Sequence, residues 1–246
     1  LVRTIASSEV YRQSSRADAR LLELDPANRL LARGPRFRAE AEVIRDIALS
    51  AAGLLDPTLG GRSFFPPVPQ SVLDYNFTQP KYWIPAKPPE RYRRSRYMFS
   101  KRPMPDPVLS TFDAPNGDTA CARRPRSNTA LAALVPLNEP VFMEAARSLA
   151  VRVLAEGGAS EDERANYLFR LCTGRHAKPA ERDTIVALVE SQRTRLADGW
   201  LSISEIATGK AGEQPEVPTD ATPQDVAAWV IASRVVLNLD ATMTKN

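Results

Sequence analysis

Apolar residues recur at helical spacing in both ends of the chain, and a long middle stretch lacks that spacing. In the N-terminal part, residues 1–12 have a partial apolar face and residues 21–24 predict a short helical turn. The clearest pattern comes after Arg36, where apolar side chains recur every three or four positions. Such spacing places them on one face of a helix. Gly53 predicts its end.

The C-terminal part predicts four more helices, each with a recognisable start. Asn138 is a suitable N-cap for a helix over residues 139–155. The Ser-Glu-Asp-Glu sequence at Ser160 is typical of a capping box and predicts a helix to Cys172. A third helix is predicted over residues 179–196, and Thr222 begins the last one.

Residues 59–126, called the belt below, have no helical period and hold many of the chain's 21 prolines. Since a structureless loop of this length is uncommon in a compact domain, we expect the belt to pack across the helices. Trp83, Tyr92, Tyr97 and Phe99 are the side chains expected to make that contact. The sequence therefore predicts a mainly α fold, an irregular helical domain of five to six helices with a long proline-rich extended segment packed across it.

We treat residues 1–246 as a single domain and expect it to be a fragment of a longer chain. It would have N-terminal helices (1–58), the belt (59–126) and C-terminal helices (127–246). With 43% hydrophobic and 25% charged residues, the composition is that of a globular protein rather than a disordered one. The net charge of +4 argues only weakly for a polyanionic partner. No apolar run approaches the roughly 18 residues of a membrane span.

The rarity of cysteine and histidine excludes several kinds of site. Two cysteines and one histidine, His176, cannot make a typical Cys/His zinc site. The sequence has no C-x-x-C-H motif, so we expect no haem or other cofactor on this chain. A serine–histidine triad is improbable, and neither glycine-rich nucleotide-binding motif occurs.

The belt carries a basic segment interleaved with aromatic residues. Charge and flat aromatic faces together are what an anionic glycan or single-stranded nucleic acid would require. The alternative, which we favour, is that the arginines lie over aromatic rings and pair with helix carboxylates, so that they hold an irregular segment in place. The candidate binding residues are Arg93, Arg94, Arg96, Lys101 and Arg102.

A second polar cluster occupies the stretch from Thr111 to Leu154. Asp113 and Asp118 precede four further candidate binding residues: Arg123, Arg124, Arg126 and Asn128. Turn chemistry and arginine–carboxylate pairing would make this cluster a structural clasp, which is the interpretation we favour. Binding remains open, and so does two-carboxylate hydrolysis by Asp113 with Asp118 or Glu144, which would need these groups to converge within about 10 Å.

Several long motifs occur in a fixed order: SEVYRQSS, DPANRLLARGPRFRAEAEVIRD, RYRRSRYMFSKRPMPDP, TFDAPNGDTACARRPRSNTALAALVPLNEPVFMEAARSLA, LFRLCTGR and AAWVIASRVVLNLDATMTK. Over nearly the whole chain the sequence resembles the C-terminal domain of unknown function of planctomycete cytochrome-c-associated exported proteins, as an N-terminally truncated copy. The chain departs from the family pattern at Ala130, Ala132 and Ala241. The resemblance carries over no catalytic residues.

The resemblance implies a location outside the cytoplasm, in the periplasm or cell envelope, and haem only in an upstream domain. We expect a non-catalytic accessory or interaction module whose partners are other domains of the same polypeptide and an anionic polysaccharide or a partner protein. We do not expect nucleic acid as a partner. The alternative is a hydrolase or redox-linked enzyme that uses the Asp113, Asp118 and Glu144 carboxylates with the arginines at 123, 124 and 126.

Overall fold

A computed structural model describes residues 1–74 and 83–245. The part of the belt over residues 75–82 lies outside the described residues, and so does the predicted packing of its side chains. The described residues form thirteen α-helices. These are α1 (Val2–Ser7), α2 (Glu9–Arg12), α3 (Ala19–Leu24), α4 (Ala41–Ala51), α5 (Gln70–Asp74), α6 (Pro107–Thr111), α7 (Ala130–Asn138), α8 (Pro140–Glu156), α9 (Glu161–Thr173), α10 (Pro179–Ala197), α11 (Ile203–Thr208), α12 (Pro223–Leu237) and α13 (Asp240–Met243).

The predicted mainly α fold is confirmed. The five helices of eleven or more residues, α4, α8, α9, α10 and α12, are those that the apolar spacing predicted. The structure adds short helices that the sequence pattern did not indicate, and α7 is the longest of these. Two strands, β1 (Phe37–Arg38) and β2 (Thr244–Lys245), pair antiparallel and bring the last residues beside the start of α4.

Helix α8 lies at the centre of the core. It packs most extensively against α12 and also contacts α4, α7 and α9. The side chains of Phe142, Leu149 and Val153 are completely or almost completely buried, as is Trp229 on α12. Burial of each such side chain contributes roughly 1.5–3 kcal/mol. These contacts around α8 therefore fix the positions of the helices that carry the polar clusters.

The start of α8 differs from the prediction by one residue. Asn138 is the last residue of α7, and its side-chain amide donates to the carbonyl oxygen of Leu134. Glu139 caps α8 instead, accepting hydrogen bonds from the backbone N–H groups of Val141 at 2.9 Å and Phe142 at 3.3 Å. The predicted asparagine cap is wrong because α7 continues through Asn138.

Backbone bridges and a small aromatic cluster connect separate segments of the belt with one another. Phe64 forms a parallel bridge with Met98 and is 1% exposed. Phe65 lies between Trp83 and Phe99, with ring centroids 5.0 and 4.5 Å away. Two 3₁₀ turns, Glu90–Tyr92 and Ser95–Tyr97, determine the backbone path of the basic segment. No helix in the described part of the chain has the length and apolarity to cross a membrane.

Candidate functional site

Arg93 in the belt points inward and holds the belt's own backbone. It is 7% exposed, and its guanidinium donates to the carbonyl oxygens of Arg62, at 2.6 Å, and Gly60. The same group lies 4.3 Å from the centroid of the Tyr97 ring, whose hydroxyl accepts from the Gly60 N–H. Two carbonyl acceptors and a ring face occupy this cation, so it stabilises the belt.

Arg45 on α4 fixes the belt from the helix side. Arg45 is 3% exposed, and its guanidinium donates to the carbonyl oxygens of Arg91 and Arg93 at 2.6 and 3.0 Å. The next residue, Asp46, accepts from both the backbone N–H and the hydroxyl of Ser95 at 2.8 Å. Sequence alone would assign Arg45 and Asp46 to salt bridges along and between helices, whereas in the structure they bind the belt.

Among the other candidate cations of the basic segment, Arg96 and Arg102 face outward. Arg94 lies 3.9 Å from Asp46 and is 43% exposed in its side chain. Arg96 and Arg102 are exposed, and neither has an ion pair or hydrogen bond within residues 1–74 and 83–245. Lys101 is half-buried. The candidate cations of the belt are therefore divided, with Arg93 used inside the fold and Arg96 and Arg102 open to solvent.

Asp113 is the centre of a clasp at the end of α6. Its φ of 64° is the left-handed conformation, which aspartate tolerates better than most residues. Its carboxylate accepts from the Ser127 N–H and hydroxyl, each at 2.8 Å, and from Arg38 at 2.5 Å. Burial opposes ionisation, but these hydrogen bonds and the Arg38 charge lower the pKa of Asp113. The clasp closes the loop over residues 114–126.

The other two candidate carboxylates have separate partners. Glu144 on α8 accepts from Arg91 at 2.6 Å and from the Tyr92 hydroxyl at 3.0 Å, so it also holds the belt. Asp118 is exposed and accepts from the Asn116 side chain within one turn. The two groups share no partner with each other or with Asp113 in the described parts of the chain. Two-carboxylate chemistry gains no support from this arrangement.

A concave groove of about 580 Å³ lies beside α7 and the clasp, and we call it the basic groove. Its volume is within the range of small-molecule sites. Among its lining residues, Arg126 and Asn128 are two of those selected from sequence. The polar lining is completed mainly by Arg36, Arg38, Asn238 and Asp240.

A cleft that shares Arg126 with the basic groove brings in the remaining candidates of the clasp segment. Arg123, Arg124 and Arg126 line it together with Glu40. Arg124 binds both oxygens of Glu42, at 2.7 and 3.1 Å, and its side chain is 33% exposed. Arg123 is exposed without a partner among the described residues.

Groove and cleft together have five arginines and two carboxylates in their lining. Arg36 is bound to one of these carboxylates, Asp240, at 2.5 Å, and its side chain remains 60% exposed. Arg126 contacts the other, Glu40, at 3.1 Å and is 48% exposed. Because exposed ion pairs of this kind are weak, an anionic ligand can compete for these arginines.

A pair of carboxylates that sequence reasoning missed lies between the belt and the helices. Asp106 and Glu139 line one small cavity of about 10 Å³ with Arg45. Burial, opposed by hydrogen bonds from the Phe142 and Val141 N–H groups, raises the pKa of Glu139 to about 7, and the Asp106 charge adds to it. Burial also raises the pKa of Asp106. The cavity has room for about one water molecule and so cannot admit a substrate.

Nowhere in the described residues do three or more histidine, cysteine or acidic side chains gather as a metal ion would require. The two cysteines are not paired: Cys121 is exposed and Cys172 is buried. Burial raises the pKa of the Cys172 thiol to about 12, which leaves it unreactive.

Comparison with protein-family models matches residues 1–189 to PSD1, a protein of unknown function (DUF1553). The match covers more than three quarters of the chain. The chain belongs to the DUF1553 family. This confirms the resemblance to a domain of unknown function. Neither the curated proteins nor the solved structures gave a match. In this DUF1553 chain the groove residues Asn238 and Asp240 lie beyond the matched range.

Proposed function

We propose that this DUF1553 chain is a non-catalytic binding module whose basic groove and adjoining cleft bind an anionic polysaccharide. The observation that supports it is the gathering of Arg123, Arg124, Arg126 and Asn128 around one concave surface, with Arg36 added from the residue before β1. Guanidinium groups bind carboxylates and sulfates through paired donors, and amide side chains bind sugar hydroxyls.

The internal use of the belt favours a saccharide over a nucleic acid. Single-stranded nucleic acids need exposed aromatic faces on which bases stack. Here Tyr97 is covered by Arg93, and Phe65, Trp83 and Phe99 contact one another. Within the basic groove, Phe37 lies under Arg126, whose charge is 5.1 Å from the ring centroid. Each of these aromatic rings therefore already has a cation or another ring as a partner.

The resemblance to exported, cytochrome-c-associated proteins supports a cellular setting for this proposal. In that setting the chain is part of an exported polypeptide, in the periplasm or cell envelope, with haem held by an upstream domain. Its partners are the other domains of that polypeptide and the anionic glycan. The groove then presents the glycan to those domains, and this chain itself performs no chemistry.

Retention on immobilised polysaccharides tests the proposal. Columns of polygalacturonate, a sulfated glycan and a neutral glucan are compared at low salt, with the midpoint of a salt gradient as the measured value. We expect retention on the two anionic supports that weakens steeply with salt, and none on the neutral one. Elution in the void volume from all three columns at low salt would refute the proposal.

A further inference from the structure

Asp106 and Glu139 each hold the first turn of a helix while facing the same cavity. The Asp106 carboxylate accepts from the Leu109 N–H at 2.9 Å at the start of α6. Glu139 does the same for α8 through Val141. Neither residue is fully buried, yet the shared cavity has almost no room for solvent. Two negative charges in such a space repel each other, and the Asp106 charge is one of the causes that raise the pKa of Glu139.

The cationic neighbour of the pair has its donors engaged elsewhere. Arg45, from α4, is the cation that lines the cavity, and its two terminal nitrogens donate to belt carbonyls and to Ser95. The charges of Asp46, Glu139, Asp106 and Glu144 all act on Arg45. On the α12 side, Arg234 donates to the carbonyl oxygen of Leu137, near the end of α7, rather than to Glu139. The pair therefore shares Arg45 with other carboxylates, and in the described residues Arg45 makes no hydrogen bond to either member of the pair.

The pair is connected to the basic groove through two short helices. Helix α6 runs from the residue after Asp106 to Thr111, and the next residue, Phe112, lines the groove. Helix α7 begins near Asn128, has Ala132 and Ala133 in the groove lining, and ends next to Glu139. The two helices contact each other. Asp106 and Glu139 are therefore each next to a short helix that reaches a wall of the groove.

We propose that ionisation of the Asp106–Glu139 pair separates the ends of α6 and α7 and so weakens anion binding in the basic groove. This inference rests on the proposed function and adds its regulation. The pKa of Glu139 near 7 places the transition around neutral pH, with the protonated, tighter-binding form below it. Protonation of the ligand would have the opposite effect, because it weakens binding as pH falls. It also occurs below this pH range, since uronates, like other carboxylates, remain ionised above about pH 5.

The histidine of the chain lies away from the groove. The single histidine of the chain, His176, contacts Asn166 between α9 and α10. It does not line the groove. A pH-dependent change at the groove with a midpoint near 7 therefore points to the carboxylate pair.

The test compares the wild-type chain with Glu139→Gln, which keeps an oxygen to cap α8 but cannot ionise. Asp118→Asn is the control, because it removes an exposed carboxylate that has only a local contact. Affinity for a polygalacturonate oligosaccharide is measured from pH 5.5 to 8.5 at constant ionic strength. We expect wild type and the control to lose about fivefold or more in affinity across this range, and Glu139→Gln to stay at the tight value.

Amide chemical shifts in the absence of any glycan give a second readout. If the inference holds, the amides of Phe112 and Ala132 titrate with the midpoint of the Glu139 carboxyl, and Glu139→Gln abolishes their titration. Constant shifts at these amides while Glu139 titrates would overturn the inference and leave the proposed function standing. Absence of glycan binding with coupled titration intact would instead reject only the function.

Discussion

Replacement of Arg93 by methionine should destabilise the protein by about 3 kcal/mol. The substitution keeps an apolar stem but removes both charge-assisted hydrogen bonds to belt carbonyls, each of which contributes roughly 1.5–3 kcal/mol. It also removes the cation from the face of Tyr97. Because Arg93 is 7% exposed, water does not readily replace these contacts. For a chain of this size, the change corresponds to a decrease in melting temperature of roughly 6–12 °C.

The matched control is Arg96→Met, which makes the same chemical change three positions along the belt. Arg96 is exposed and without a partner in the described residues, so its replacement should alter the free energy of unfolding by less than about 0.5 kcal/mol. Urea denaturation followed by circular dichroism measures both variants. Equal stability of the two variants would refute the assignment of Arg93 to an internal, structural role.

Three further predictions concern other parts of the fold. Asp113→Asn should cost about 2 kcal/mol and expose the loop over residues 114–126 to limited proteolysis, whereas Asp118→Asn should leave the digestion pattern unchanged. The hydrogen bond from Arg175 lowers the pKa of Glu181 to about 2, so the ionised carboxylate stabilises the fold above pH 4.5 and this contribution is lost as pH falls toward 2. Glu181→Gln should therefore make acid unfolding less steep, and unaltered acid unfolding would contradict this. A thiol reagent should label Cys121 in the native protein and Cys172 only after denaturation; two fast-reacting thiols would contradict the buried position of the second.

Helices with both a period and a start signal could be predicted closely from sequence. The pattern placed helices at 139–155 and 179–196, and the structure has Pro140–Glu156 and Pro179–Ala197. Helix α7 was not predicted, because its sequence of alanine, leucine and valine is apolar on all sides and contains Pro136. A proline is expected to end a helix, and an apolar run without a period does not distinguish a helix from a strand.

The site was harder to predict, because the residue types alone do not reveal which groups each side chain contacts in the fold. In RYRRSR, Arg93 and Arg96 are chemically identical, and only the 3₁₀ turns of the belt decide which one faces inward. Turn residues beside arginines usually bind nearby backbone, and the Asp113 carboxylate accepts from the Ser127 N–H in the structure. Asp106 and Glu139 could not be recognised as a pair, because they are far apart in sequence and because Asn138 rather than Glu139 was the expected helix cap.

The central claim is that anionic glycan binds at the basic groove and cleft and not along the basic segment over residues 91–102. Two charge-matched double variants test it most directly. Arg123→Gln with Arg126→Gln removes two exposed cations from the cleft, and Arg96→Gln with Arg102→Gln removes two from the basic segment. Affinity for a polygalacturonate oligosaccharide is measured at about 0.15 M salt, close to physiological ionic strength. We predict a loss of about tenfold or more for the first variant and about twofold or less for the second. Equal losses, or a larger loss for the Arg96/Arg102 variant, would contradict the claim.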